Sequence, residues 1–459
     1  MKLYIYDALL EFQRKNPLKF HMPGHNYGAE FLKLFPSGFL DVTDLEQFDC
    51  LDNPYGIIKR AQDNIRNIFG SKAAFMLTDG STSGVYAMVK ATHKQGKKLI
   101  ISRNSHKSVF NICSLLNIEP VIIPPVIKNG YILPPDAKQL EKILNEYSAN
   151  DMMGALLTSP DYYGTACNLK AVKELLERKN LYLLVDNAHG AHIRFSDTAN
   201  YSGVYADIWV DGMHKTAPAL SQGAVLHVGN EKLIEQTAAA VKMFRTSSPN
   251  YEILASVEYA AKYLDENGVR LIKGLTERLC ALKANLKMRG AEFLDNNDPL
   301  KLVLDLKSIN VSENEAEAFL IGENINYELC DGRYMLFLVS VDTKAADISR
   351  LEKALAGLIK NVGSDGPGAP FSQDLSGALR LSRPTTPALS YIESVNSEKE
   401  LLDINECEGR VCAENFGVSP PCVPVCVAGE RINKEIIDYM KNKSGKFGFY
   451  ADNKVWVIK

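Results

Sequence analysis

Apolar and polar positions alternate in two periods along the first half of the chain. Short, continuous apolar runs at 73–77, 98–102, 120–123, 153–158, 181–185, 206–210 and 224–228 predict buried strands. Between them, positions 82–94, 108–116, 136–147 and 169–179 carry the helical period, as do 4–15 and 57–69 nearer the start. Strands that alternate with helices and read as unbroken apolar runs predict an α/β fold, a mostly parallel sheet sandwiched by helices. A long helical region follows over 231–289, interrupted at Ser247-Ser248-Pro249. Strand-like runs at 301–306 and 334–339 with a helix over 343–359 then predict a smaller α+β domain. Further strand candidates lie at 411–414 and 423–427. The stretch NVGSDGPGAP, dominated by glycine, proline and polar residues, reads as a linker. The expected division is an N-terminal segment 1–50 that meets a neighbouring subunit, a large domain 51–290, a small α+β domain 291–360, a linker 361–372 and a C-terminal α+β domain 373–459. There is no internal repeat and no low-complexity tract.

Composition narrows the class. A chain of 459 residues has room for a large core and for two or three domains. Its 46% hydrophobic and 23% charged content is ordinary for a globular protein. A net charge of -3 gives no reason to expect nucleic acid or an anionic membrane as partner. The opening MKLYIYDALLEFQRKNP is broken by charges, unlike a signal peptide, and no apolar run approaches membrane-spanning length, so a cytoplasmic protein is expected. Nine cysteines, an odd number scattered from Cys50 to Cys426, fit a reducing compartment better than a disulfide framework. Cys407, Cys412, Cys422 and Cys426 cluster. They read as small buried residues rather than a structural zinc site, since they form no CxxC pair and no histidine is near. All eight histidines precede residue 228, which concentrates the polar chemistry in the first half.

Lys215 lies in ADIWVDGMHKTAPALSQGAVLHV, between two apolar runs. Taken alone it is a solvated turn lysine, the common fate of lysines. Upstream, LYLLVDNAHGAH ends its apolar run at Asp186, where open α/β sheets bind ligands. A buried carboxylate needs a cationic or hydrogen-bonding partner, and a protonated pyridine nitrogen is one. Two further corners join them. LTDGSTSG follows a strand and opens a helix, so its backbone N–H groups and the hydroxyls of Ser81, Thr82 and Ser83 suit a phosphate, although a plain helix cap explains them too. His106, in SRNSHKSVFN, is placed to stack on a flat ring or to be hydrogen-bonded locally. Ala188 and Gly190 are small enough to let a ring lie against the chain. His189 is read as a support for Asp186, and metal binding by His189 and His192 lacks a third ligand. Schiff base formation needs a neutral lysine, and His214 beside Lys215 is a candidate cation to depress its pKa.

These segments resemble the ornithine/lysine/arginine decarboxylase family, pyridoxal phosphate enzymes with the aspartate-aminotransferase-like fold. The matching motifs are HMPGHN, DGSTSG, NSHKSVFN, TSPDYYGTACNL, VDNAHGAH, MHKTAPALSQGA, TSSPNYEILASVE and GRVCAENF…PPCVPVCVAGERI. They run in family order over nearly the whole chain, at the length of the short form without the N-terminal wing domain. The resemblance implies a Schiff base at Lys215, a salt bridge from Asp186 to the pyridine nitrogen and His106 on the ring face. It places Ala188 and His189 beside the cofactor. Ser81, Thr82, Ser83 and His214 surround its phosphate, with Thr246, Ser247 and Ser248 reaching in from a neighbouring subunit of a homodimer. The implied activity is decarboxylation of arginine, lysine or ornithine, hence polyamine biosynthesis, with no metal. The pyridinium held by Asp186 accepts the electrons released from Cα, and His106 or Lys215 returns the proton. Glu414, in CAENF, is a candidate for a distal group of the amino acid substrate.

Three departures stand out. Asn187 replaces the acid of the family's DEAHGAH, Gly212 replaces a serine that would give the phosphate a hydroxyl, and SPPCVP replaces a YPPGIP-like segment. They leave substrate choice open and keep a second pyridoxal phosphate reaction, such as transamination or racemisation, as an alternative. A non-catalytic relative is the other alternative, and retention of both Lys215 and Asp186 argues against it.

Overall fold

The computed structural model describes residues 2–364, 387–441, 443, 445–450 and 453–459. In chain order the first nine strands are β1 (Ala73–Leu77), β2 (Lys98–Ser102), β3 (Pro120–Ile123), β4 (Val126–Lys128), β5 (Tyr131–Leu133), β6 (Met152–Thr158), β7 (Tyr182–Asn187), β8 (Ile208–Gly212) and β9 (Ala224–Val228). All seven expected strands form. Two of them, β7 and β8, extend past their apolar runs because polar residues continue the ladder, with Asn187 opposite Asp211. The hairpin of β4 and β5 is an addition. It turns at Asn129-Gly130, both with positive φ (53° and 76°), the dipeptide that a tight hairpin favours.

The described residues group into two compact units. The first holds Met1–Thr92, Leu183–Ile272 and Ser340–Asp342. Here β1, β9, β8 and β7 lie side by side in that order. Strands β7 and β8 are parallel, while β9 is antiparallel to both β8 and β1. Two antiparallel steps leave β1 parallel to β8, so the carboxyl ends of β1, β7 and β8 share one edge. The helix Gly80–Thr92 buries Val85, Ala87, Met88 and Val89. It packs tightly on β8 because Gly84 has no side chain: a Cβ there would stand 2.6 Å from Val210 Cγ2. The N-terminal helix Tyr4–Lys15 is anchored by Glu258, which accepts the N–H groups of Tyr4 at 2.5 Å and Ile5 at 2.9 Å.

The second unit comprises His93–Tyr182, Lys273–Val339 and Thr343–Lys459. Parallel strands lie in the order β6-β2-β3. A separate antiparallel sheet joins β10 (Glu292–Phe293), β11 (Lys301–Asp305), β13 (Tyr334–Leu338) and β12 (Leu329–Cys330) in that spatial order. Towards the C-terminus, Lys399–Asp403 pairs with Lys454–Ile458, and Phe416–Val418 pairs with both Val423–Cys426 and Lys446–Phe447. The strand expected at 411–414 shows only isolated bridges, Val411 to Arg431 and Cys412 to Val457, two different partners that do not continue into a ladder. Cys407, Cys412 and Cys426 sit in the apolar core with Ile404, Phe416 and Met440, whereas Cys422 is half-buried outside it. At the expected linker the helix Ala345–Ser364 continues to Ser364, and residues 365–372 lie outside the described residues. No helix among the described residues is long and apolar enough to cross a membrane.

Candidate active site

In the first unit the shared edge gathers Asp186, Lys215 and the Ser81 turn. Asp186 is the penultimate residue of β7 and is 4% exposed, with one hydrogen bond among the described residues, from the Ala188 N–H at 3.2 Å. Burial pushes its carboxyl pKa up, and the Lys215 charge and the Ala188 N–H pull the other way. Lys215 sits in the short helix Met213–Thr216 directly after β8, with Nζ 2.7 Å from Nε2 of the buried His189. An ammonium only donates, so while Lys215 is charged this ring nitrogen accepts and its proton is on Nδ1. His189 therefore supports Lys215, whereas Asp186 had been the expected partner. His192 Nδ1 meets Thr216 Oγ1 at 2.9 Å and fixes the backbone just past the lysine. His214 donates Nδ1–H to the Gly223 carbonyl at 3.0 Å. Burial lowers its pKa and Lys215 adds to that, so at neutral pH His214 is not the cation that was expected to act on the lysine.

The three hydroxyls of the DGSTSG turn have different fates. Ser83 donates its proton to the Gly80 carbonyl at 2.9 Å, and Thr82 is exposed. Ser81 Oγ is buried with no partner among the described residues. It lies beside Gly212: a Cβ built on that glycine would be 3.1 Å from Ser81 Oγ and 2.4 Å from the Ala188 carbonyl. Gly212 is therefore required by the close approach of the chain at Ala188, and a serine does not fit this backbone. The loss of a phosphate hydroxyl has a steric reason.

Asn187 points away from this corner. Its amide donates to buried Asp211, and its carbonyl accepts from Ser202 at 3.0 Å. Asp211 also accepts from Tyr201 at 2.7 Å. The departure at Asn187 thus touches the packing between β7 and β8. Thr246, Ser247 and Ser248 are exposed, and the Thr246 N–H points to Asp79 of its own chain at 3.4 Å.

His106 and Glu414 belong to the second unit. His106 caps the helix Lys107–Leu115, with Nδ1 accepting from the Ser108 N–H at 3.2 Å, so the neutral ring carries its proton on Nε2. Glu414 is engaged by Lys399 and by the Tyr450 hydroxyl at 2.9 Å, which ties it into the C-terminal strands. Sequence reasoning missed two buried polar groups here. Asp161, after β6, accepts the N–H groups of Tyr163 and Thr165 and the Tyr131 hydroxyl, and Lys301 donates to the Asp161 carbonyl at 3.0 Å. Arg103, after β2, is 3% exposed and pairs with Glu430. The only signal was a charged residue soon after an apolar run, directly after it for Arg103 and beyond Ser159-Pro160 for Asp161.

Comparison with known proteins assigns the chain's similarities. A family profile described as "Orn/Lys/Arg decarboxylase, major domain" matches residues 4–304, and one described as its C-terminal domain matches 378–447. The uncharacterized protein YaaO of Bacillus subtilis (strain 168) is 31% identical over 95% of this chain and 93% of its own length. An arginine decarboxylase of the same organism is 30% identical over 95% of this chain and 92% of its own. The solved structure of lysine decarboxylase A from Pseudomonas aeruginosa superposes with a TM-score of 0.82 at 18% identity, covering 100% of this chain and 80% of that one.

Proposed function

The chain belongs to the ornithine/lysine/arginine decarboxylase family, and from that premise we propose that it decarboxylates a basic amino acid, arginine, lysine or ornithine, with pyridoxal phosphate held at Lys215. Pyridoxal phosphate is the cofactor of that family. The corner described above fits it on two counts: Asp186 is a buried acid with a single backbone donor, and Ser81 is a buried hydroxyl awaiting an acceptor.

Lys215 would hold the cofactor through its amine, Asp186 through the ring nitrogen, and Ser81 with the N-terminus of the helix Gly80–Thr92 through the phosphate, while His106 is proposed for the ring face on the strength of its motif NSHKSVFN. When bound, the cofactor supplies a sink for the electron pair released at Cα. The residues do the rest. Burial makes an unpaired Asp186 carboxylate costly, so a protonated partner offsets that cost and is itself held protonated by the ionised acid. His189, against the lysine Nζ, orients the amine and exchanges a proton with it. Lys215 or the Nε2–H of His106 returns a proton to Cα. The observation that carries the reading is that buried Asp186 near the carboxyl end of β7 and Lys215 just past the carboxyl end of β8 follow neighbouring parallel strands.

The site is proposed to be completed in a homodimer, with Thr246 and Ser247 offered to the neighbouring copy. Exposed Leu18, Phe20, Met22, Leu34 and Phe35 in the N-terminal segment give that copy an apolar surface. The amine product places the reaction in polyamine formation, and nine free cysteines suit the cytoplasm. The test is to incubate the cofactor-loaded protein with a panel of amino acids while following carbon dioxide and keto acid release. Carbon dioxide from a basic amino acid, abolished by Lys215→Ala, is expected. Keto acid in its place would make the protein an aminotransferase, and no turnover with any amino acid would sink the enzymatic reading.

A further inference from the structure

Resting on the ring-face role proposed above for His106, we infer that Arg103 and Glu430 are positioning residues for His106, and that the C-terminal segment is thereby part of the catalytic apparatus. The turn from β2 into the helix Lys107–Leu115 carries His106, and the C-terminal segment grips that turn on both sides. Before it, Arg103 donates Nη1 to the Pro424 carbonyl at 2.8 Å and Nη2 to the Val425 carbonyl at 3.1 Å. The same Nη2 meets Glu430 at 3.1 Å, and Glu430 also accepts the Val427 N–H at 2.8 Å. Immediately after it, the Lys107 N–H donates to the Cys422 carbonyl at 2.8 Å. Farther along, the Tyr391 hydroxyl donates to the Phe110 carbonyl at 3.0 Å. Each contact lies within the second unit.

Stability alone does not account for the ion pair. Arg103 and Glu430 are 3% and 6% exposed, and a buried pair of this kind is typically no more stabilising than apolar residues of the same volume. What it adds is direction. A planar guanidinium with three acceptors fixes the strand Val423–Cys426 and the turn 103–106 in one relative position. His106 has its ring set by its own backbone through the Ser108 N–H, so a displacement of the turn moves the ring with it. Small misplacements of a catalytic group cost up to about 10²-fold in rate.

The test is a mutant cycle on the cofactor-loaded enzyme. Arg103→Lys keeps the charge and loses the fork, and Glu430→Gln keeps an acceptor for Val427 and serves if the first variant does not fold. Each is made alone and together with His106→Ala, and kcat, KM, cofactor content and visible circular dichroism are measured. The expected result is a kcat loss of about tenfold for the single variant, with KM within about twofold and full cofactor content, shrinking to under about twofold when His106 is already alanine. An equal loss in both backgrounds would overturn the positioning role while leaving the proposed function intact. If His106→Ala alone leaves kcat and the dichroism unchanged, the ring-face placement of His106 fails, and this inference fails with it.

Discussion

Asp186 and Asp211 stand on neighbouring parallel strands of the first unit, both buried, and their surroundings are opposite. Asp211 is 0% exposed and accepts from the Asn187 amide and the Tyr201 hydroxyl, with His227 Nε2 3.4 Å away. That network closes on itself: Tyr201 accepts from Trp209 Nε1 at 2.8 Å, and Asn187 accepts from Ser202. Asp186 has one backbone N–H, with the Lys215 charge also favouring its ionised form. Burial by itself therefore does not mark a functional acid. Asp211 is a packing element whose partners are all inside the fold, whereas Asp186 is a buried acid whose surroundings leave a partner to be supplied from outside.

The comparison is sharpest when each acid is made an amide. Asp186→Asn should lower kcat about 10²–10³-fold, the size of effect seen when one preorganised charge or donor is removed from a reacting group. The same variant should raise the melting temperature of the cofactor-free protein. The sign follows from the raised pKa. The folded protein holds the Asp186 proton more tightly than the unfolded chain does, so the wild type loses stability as pH rises from the ordinary carboxylate range through the raised value. The gain from Asn should be absent in acid and grow towards neutral pH. A cofactor-free melting temperature that falls on substitution would show that Asp186 is satisfied internally like Asp211.

Asp211→Asn should do the reverse. An amide cannot accept from both the Asn187 amide and Tyr201 without facing a donor with its own NH2, so about 1–3 kcal/mol of stability should be lost in denaturant unfolding. The folded fraction should bind the cofactor with unchanged affinity. Asn187→Asp probes the same contact from the other strand. It sets two buried carboxylates against each other, one of which must keep a proton. The variant should unfold most easily at neutral to alkaline pH and recover as pH falls and the pair shares a proton, by more than the wild type does over the same range. A variant indifferent to pH would mean that Asn187 does not face Asp211 in solution.

Much of this contrast was legible in the sequence, because strands that are buried on both faces write themselves as unbroken apolar runs and place Asp186 directly after one and Lys215 a few residues after another. The strand ends were not legible. Asn187 and Asp211 look like the start of loops until their pairing across β7 and β8 is known, since tertiary hydrogen bonding overrides apolar pattern there. For the same reason Asn187 read as a change in the site, although successive strand residues point to opposite faces and Asn187 therefore faces away from the side proposed for the cofactor at Asp186. His214 misled in another way. Adjacency to Lys215 suggested a cation, and burial makes it neutral. The clamp from Arg103 to Glu430 joins residues far apart in the chain, which no local period encodes.

The smallest expected effect tests whether Ser81 belongs with Asp186 or with Asp211. A hydroxyl buried without a partner costs stability, so Ser81→Ala should leave the cofactor-free protein as stable as before or slightly more so. If a phosphate is its intended acceptor, the same change should weaken cofactor binding by about tenfold, the worth of one charge-assisted hydrogen bond. Ser83→Ala is the matched control. Its hydroxyl already serves the Gly80 carbonyl, so it should cost a little stability and almost no affinity. Cofactor titrations on both variants read the difference directly. Equal affinities would move Ser81 to the side of Asp211, a polar group that the fold keeps for itself.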